Sequence, residues 1–228
     1  MKRTWKWGFL GYGQVAQEHM MPAVLGNPDS ELFAIASRSR YQDESMHTRH
    51  RFSSYEQVID SPDVDIVYIA LPNTMHATLT IRALQSGKHV LCEKPIAMTV
   101  KEIDAIAEAS AQTGCKVMEG FMYHYSDRMH RLMEVLNSGL IGDITYIQSN
   151  FFSLKSRIRG IRADMSLGGG CLWDLGCYPV SLITFLRTVR DSSEPHIQVM
   201  GAFDQGVDTY LSGNLGFSDG LIGSFSAG

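Results

Sequence analysis

The chain has 228 residues, which at ~150 per domain corresponds to about one and a half domains. Hydrophobic residues at 44%, charged residues at 19% and aromatics at 10% form an ordinary globular composition and exclude a disordered chain. Twenty Lys and Arg against 24 Asp and Glu leave a net charge of −4, so no basic excess exists to neutralise a phosphate backbone, which argues against nucleic acid as a partner.

At the N-terminus, Lys2 and Arg3 precede the apolar stretch Trp5 to Leu10. Lys6 interrupts it and Gly11-Tyr12-Gly13 ends it too early for a signal peptide, so a first β-strand is expected there. No apolar run approaches the ~18 residues of a membrane span, and no membrane partner is expected. Cys92, Cys115, Cys171 and Cys177 include no C-x-x-C pair. Reduced thiols in a cytoplasmic protein, with no metal site, are the expectation.

Strands are expected at Lys6–Leu10, Glu31–Ala36, Asp65–Leu71, Lys88–Cys92 and Lys116–Gly120. Helices are expected between them at Gln14–Leu25, Tyr55–Asp60, Met75–Ser86 and Val100–Thr113. The run Asp65-Ile-Val-Tyr-Ile-Ala-Leu71 is nearly all apolar, as a strand buried on both faces should be. In the last helix, Ile103, Ile106, Ala107 and Ser110 fall at helical spacing, with Gly114 as the stop. Strands alternating with helices predict an α/β unit with a doubly wound parallel sheet, running to about residue 121.

After that the pattern changes. Met129, Leu132, Met133 and Leu136 mark an amphipathic helix closed by Gly139. Ile144–Phe152 reads as a strand, and a glycine triplet at 168–170 precedes a long apolar helix, Cys171 to Arg187. From Ile197 to Phe225 short strands are expected, separated by Asp-Gln-Gly, Gly-Asn and Asp-Gly turns. The expected organisation is therefore a dinucleotide-binding unit over 1–121 and an α+β substrate unit over 122–228 with a mostly antiparallel open sheet. Val207–Phe217 and Gly220–Ser226 read as consecutive strands with none after them. An open edge at the chain's end, a truncated second unit and association through its sheet are the corresponding expectations.

The first chemistry lies at Gly11-Tyr12-Gly13-Gln14-Val15-Ala16, a G-x-G-x-x-A that follows a strand and opens a helix. Gly11 allows the tight turn, Gly13 admits a pyrophosphate against the backbone, and Ala16 lets helix and strand pack closely. A ligand-free glycine turn would show the same letters. Readers of NAD carry an acid at the tip of the second strand, where this chain has Ser37-Arg38. A hydroxyl and a guanidinium suit a 2′-phosphate, which points to NADP with NAD as second choice; a solvated basic turn is the plainer reading.

Two more strand ends carry polar residues: Leu71-Pro72-Asn73-Thr-Met-His76, and Cys92-Glu93-Lys94-Pro95. Ligands sit at the carboxyl ends of the strands of such sheets, so Leu71, Asn73, His76, Glu93 and Lys94 are candidate cofactor contacts. Farther on, Asp174 and Tyr178 lie four apart, on one face of the expected helix, with Pro179 expected to bend it. A capping Asp with a core-rim tyrosine is the plainer reading of that pair.

These motifs, with Glu119-Gly-Phe-Met-Tyr-His124 and Gly168-Gly-Gly-Cys-Leu-Trp-Asp174-Leu-Gly-Cys-Tyr178, resemble the glucose–fructose oxidoreductase / inositol dehydrogenase / rhizopine-catabolism family. The Asp-x-x-x-Tyr ending resembles its dihydrodiol and NADP-dependent xylose dehydrogenase branch. His124 and Ser126-Asp127 depart from the arginine and His-Pro that the family often carries. The resemblance implies a hydride-transferring enzyme acting on a cyclic sugar or vicinal diol. Lys94, Asp174 and Tyr178 would be its catalytic set, and Tyr123, His124 and Arg162 its substrate contacts. A free tyrosine has a pKa of ~10, and a lysine ~4 Å away at an effective dielectric of ~20 contributes about 4 kcal/mol, roughly three pKa units. Tyr178 would then transfer the proton near neutral pH, with Lys94 tuning it and Asp174 positioning substrate or lysine. Lys94 as direct proton acceptor, a glycosidase that retains its nicotinamide, and a non-catalytic binding protein on the same fold are the rival readings.

Overall fold

The computed structural model describes residues 3–37, 48–154, 160–187 and 194–228. The chain divides into two units, Met1–Gly120 and Phe121–Gly228.

In the first unit six parallel strands form one sheet: β1 (Trp5–Leu10), β2 (Ser30–Ala36), β3 (His50–Phe52), β4 (Ile66–Ile69), β5 (His89–Cys92) and β6 (Val117–Glu119). Their order is β3-β2-β1-β4-β5-β6, so the chain reverses its direction of travel across the sheet between β1 and β4. That reversal opens a crevice at the carboxyl ends of those two strands. Successive residues explain why both faces are covered. Phe9, Ile35 and Tyr68 point into one cluster with Ala16 and Val24, while Leu10, Ala36 and Ile69 point into the other with Val58, Leu84 and Ile106. Each side chain of this size taken fully out of water contributes about 1.5–3 kcal/mol.

The helices of this unit fall where the apolar periodicity places them. The first runs over 14–26, a wide-turned stretch Ala16–Met20 leading into α1 (Met21–Gly26). Next come α2 (Tyr55–Ile59), α3 (His76–Gln85) and α4 (Val100–Thr113). Thr99 caps α4 reciprocally with Glu102, and Gly114 in left-handed conformation ends it. The expected buried face of α4 is off by part of a turn. Ile106 and Ala109 are buried, whereas Ile103 and Ala107 are exposed. The expectation of five strands also needs correction, because β3 is a sixth; three residues, two of them exposed, carry no readable alternation.

The second unit holds α5 (Asp127–Asn137), α6 (Cys177–Arg187) and a four-stranded sheet of β7 (Tyr146–Phe151), β8 (His196–Asp204), β9 (Val207–Gly216) and β10 (Ile222–Ala227). The sheet order is β7-β10-β9-β8, antiparallel except for the β7–β10 pair. The last strand is therefore interior and paired on both sides, which corrects the expected open edge there; β7 and β8 are the edges. The β8–β9 turn has positive φ at both Gln205 and Gly206, the geometry that matches strand twist. Gly213-Asn214 is not a turn but lies inside β9. A Cβ on Gly213 would sit 2.7 Å from the Gln198 carbonyl and 2.8 Å from the Phe225 ring. Helix α6 covers the β7–β10 side, and a Cβ on Gly223 would meet Ile183 at 2.4 Å. The stretch Met165–Arg187 is 23 residues long and apolar enough to cross a membrane, against the expectation that no run would reach that length. In this unit Pro179 and Ile183 of that stretch are buried.

In β1, Gly8 lies under α2, where a Cβ would come 2.4 Å from Val58 Cγ1. Gly8→Ala should therefore lower the unfolding free energy of the first unit by about 1–3 kcal/mol in urea denaturation.

Candidate active site

The turn after β1 is shaped by what it lacks. Gly11 has φ +94°, and a Cβ there would lie 2.2 Å from the Ala70 carbonyl oxygen just beyond β4. Gly11 N–H donates to the Ala36 carbonyl at 2.8 Å and Ala70 N–H to the Leu10 carbonyl at 2.9 Å, which sets the turn between the ends of β2 and β4. Around Gly13, by contrast, a Cβ would meet nothing within 4 Å. Gln17 braces the turn through its side-chain amide to the Tyr12 carbonyl at 2.8 Å, and Tyr12 rests its hydroxyl on the Met21 sulfur. Gln14 is exposed and bonded to Glu18, Val15 is exposed, and Ala16 is fully buried. A pyrophosphate fits this cradle. The space over Gly13 is open, and the first helical turn presents N–H groups without intrahelical partners together with positive potential.

Ser37 follows β2 directly, with its N–H on the Phe52 carbonyl at 3.3 Å. Arg38 lies outside the described residues.

The ends of β4, β5 and β6 meet in one polar corner. Glu93 N–H donates to the Ile69 carbonyl, and the Tyr68 hydroxyl donates to the Glu93 carboxylate at 2.7 Å. Burial, with the Glu93 charge beside it, pushes the Tyr68 phenol well above its ordinary range, so it stays a donor. Lys94 is half-buried, and the Lys94–Pro95 peptide is cis. Glu119 accepts the Ile96 N–H at 2.9 Å; burial raises its carboxyl, against the hydrogen bond and the Lys94 charge that hold it down. The ring nitrogens of fully buried His76 face the Pro95 carbonyl at 2.7 Å and the Leu71 carbonyl at 2.9 Å. His76 thus joins the connection after β4, which carries Asn73, to the corner after β5. Burial holds it below the usual histidine range.

In the second unit the glycine triplet has a steric explanation at each position. Gly168 is left-handed at φ +78°, a Cβ on Gly169 would meet the Arg162 carbonyl at 2.5 Å, and one on Gly170 would meet the Asp208 carboxylate at 2.0 Å. The helix that follows opens with a wide turn over Leu172–Gly176, where Cys177 N–H reaches the Leu172 carbonyl. Pro179 gives Leu175 no N–H, and its ring would press on that carbonyl in a regular helix; the wide turn lies just ahead of it. Asp174 is held by Arg162, Nε to Oδ2 at 2.6 Å. These two predicted residues find each other, in a partly exposed pair worth about 0–1 kcal/mol.

Tyr178 is packed edge-on by Phe121 and Phe151, at ring distances of 5.5 and 5.3 Å, with Tyr123 at 6.2 Å. Tyr178 and Tyr123 line a cleft of about 420 Å³, together with Phe151, Leu182, Asn150 and Arg128. Tyr123 shares a 2.9 Å hydrogen bond with Ser181, whose hydroxyl lies 3.5 Å from His124 Nε2. His124 stacks on Tyr123 and abuts Phe185, and burial holds its pKa below the ordinary value. Phe151, Ser181 and Asp208 were not singled out in the sequence. The glycines at 169 and 170 signal a close neighbour but not which one.

A parallel sheet in this strand order, with a glycine turn at its reversal point, defines a dinucleotide-binding class of fold. Residues 5–121 match the model of the oxidoreductase family, NAD-binding Rossmann fold, and residues 129–228 match the GFO/IDH/MocA C-terminal domain. The chain belongs to the GFO/IDH/MocA oxidoreductase family. It is 34% identical to the uncharacterized oxidoreductase ORF334 of Rhizobium meliloti over 77% of this chain and 54% of the relative. It is also 34% identical to D-xylose 1-dehydrogenase (NADP(+)) 2 of Haloferax volcanii, over 93% and 66%. The chain thus spans between about half and two thirds of these relatives. Among solved structures, KijD10, a 3-ketoreductase from Actinomadura kijaniata in complex with NADP and TDP-benzene, superposes with a TM-score of 0.85 at 26% identity. That match covers 98% of this chain and 70% of KijD10.

Gly13→Ala should leave stability within about 0.5 kcal/mol, because nothing opposes the methyl, yet weaken dinucleotide binding by at least ~10-fold. Fluorescence titration with NADP and NAD beside a urea melt checks both halves of the expectation.

Proposed function

We propose that the chain carries the cofactor turn and the proton-transfer residues of an NADP(H)-dependent oxidoreductase that acts on a carbinol of a cyclic sugar or vicinal diol. The observation that carries this reading is Tyr178, clamped between two aromatic rings on the wall of a 420 Å³ cleft. A phenol placed so has its ring fixed at the cleft wall. The names of the Haloferax relative and of KijD10's bound cofactor support the choice of NADP.

When bound, the nicotinamide takes up the hydride that leaves the carbinol carbon, or returns it in the reverse direction. The residues of the chain handle the proton and the geometry. Tyr178 accepts the hydroxyl proton as the carbonyl forms, and donates it in reduction. Lys94 lowers the cost of the phenolate by its charge. The turn Gly11–Val15 holds the pyrophosphate, Ser37 with Arg38 the 2′-phosphate, and Leu71, Asn73 and Glu93 border the nicotinamide end. His76 holds the last two connections in place from behind. Arg162, paired with Asp174, and Tyr123, braced by Ser181, face substrate hydroxyls. Assembly into a homo-oligomer belongs to the same reading, supported by β8, whose Ile197, Val199, Met200 and Phe203 are all exposed.

Tyr178→Phe keeps the ring packing and removes the proton, and should lower kcat by about 10²–10⁴ in an NADP-linked absorbance assay over aldoses, polyols and diols. Lys94→Met should do at least as much. Near-normal turnover by Tyr178→Phe, with the chemical step limiting, would remove the base assignment.

Arg38→Ala should weaken NADP by roughly 10- to 150-fold, the loss of one charge-assisted hydrogen bond, and leave NAD little changed. Tighter binding of NAD than of NADP by the unmodified protein would refute the cofactor choice.

A further inference from the structure

Asp208, the second residue of β9, turns its carboxylate toward the start of the helix that carries Asp174 and Tyr178. Its Oδ2 accepts the Leu172 N–H at 2.6 Å. Its Oδ1 occupies the space beside Gly170, where a Cβ would be only 2.0 Å away, and Gly170 takes φ +114° to pass it. Between them, the Cys171 thiol is buried and donates to the Ala227 carbonyl at 3.6 Å, with burial and the nearby Asp208 charge pushing its pKa up. Gly170 N–H donates in turn to the Arg162 carbonyl at 2.9 Å. One side chain on a sheet strand therefore bears on both Gly170 and Leu172 at the point where the helix begins.

We infer that Asp208 is a positioning residue that sets the rotation and height of the 171–187 helix, and through it the placement of Asp174 and Tyr178. A helix has a radius of ~5–6 Å with its side chains, so a turn of about 10° about its axis moves a side-chain tip by about 1 Å. A displacement of that size in a reacting group costs on the order of 10²-fold in rate. The first helical N–H groups have no partner within the helix. A carboxylate fixed on the neighbouring strand gives one of them a partner with a defined direction, which a solvent molecule would not.

The inference rests on Tyr178 being the proton-transfer residue, and the test separates the two. Asp208→Asn keeps an acceptor oxygen at the same distance and loses the charge. Asp208→Glu keeps the charge and adds a methylene where Gly170 leaves no space. If position is what matters, kcat of the Asn variant stays within about 5-fold of the unmodified protein while that of the Glu variant falls by about 10- to 100-fold. NADP affinity stays unchanged in both. Gly170→Ala, which presses on the same carboxylate from the other side, should reproduce the loss seen with Glu. A Glu variant as active as the Asn variant or more so overturns the inference, because charge and not placement would then be the requirement. If the unmodified protein turns over no sugar or diol, the functional reading fails on its own. Amide exchange over residues 170–178 then decides the role of Asp208: exchange at least ~10-fold faster in the Glu variant, with the Asn variant unchanged, supports it. Equal protection in all three proteins overturns it.

Discussion

Both functional turns of this chain depend on the absence of a side chain. At Gly11 the backbone leaves β1 so close to the Ala70 carbonyl that a methyl would lie 2.2 Å from the oxygen, and at Gly170 the corresponding distance to Asp208 is 2.0 Å. Close approach at Gly11 lets β1 and β4 stay adjacent while the chain turns out of the sheet into the 14–26 helix. Close approach at Gly170 lets a strand carboxylate reach the first N–H groups of another helix. Positive φ at both positions adds a backbone requirement that other residues meet only at a cost of about 1 kcal/mol or more.

The two helices that begin at these turns share a second feature. Each opens with a wide turn, over Ala16–Met20 and Leu172–Gly176, and each has a proline shortly after it, Pro22 and Pro179. Proline removes the donor that a regular helix would supply to the preceding turn and crowds the carbonyl there. Bonds that reach back five positions, Met21 N–H to the Ala16 carbonyl and Cys177 N–H to the Leu172 carbonyl, relieve that conflict without breaking the helix. The consequence for chemistry is angular. Asp174 lies inside the wide turn and Tyr178 beyond it, so the offset between them is set by the local winding as well as by their spacing of four.

Polar groups behind the Glu93-Lys94-Pro95 corner are consistently engaged. Tyr68 donates to Glu93, His76 has its ring between two carbonyls and donates to one of them, and Glu119 accepts the Ile96 N–H. Leaving any of these buried groups unpaired would cost about 1–3 kcal/mol. Satisfied, they tie the ends of β4, β5 and β6 to one another. The backbone of Lys94 is set in that frame before any ligand arrives.

Much of this was legible in the sequence because it is encoded over a few residues at a time. Alternating apolar runs, the glycine turn and Gly114 are local signals, and the strands and helices they predict fall within a few residues of those observed. Local signals also misled where the environment decided the meaning. Gly213-Asn214 has the letters of a turn, but Gly213 is a glycine because the Gln198 carbonyl and the Phe225 ring leave no room. The final strand reads as an edge strand, yet β10 is inserted between β7 and β9. Partners far apart in the chain were invisible: Asp208 and Leu172 are 36 residues apart, Tyr123 and Ser181 are 58 apart, and Tyr68 and Glu93 are 25 apart. Periodicity and turn chemistry depend on the backbone's own repeat, so the sequence alone determined the elements, their order and the residue types able to do chemistry. Which polar group faces which depends on how strands are ordered and helices rotated against them, and only the tertiary packing decided that.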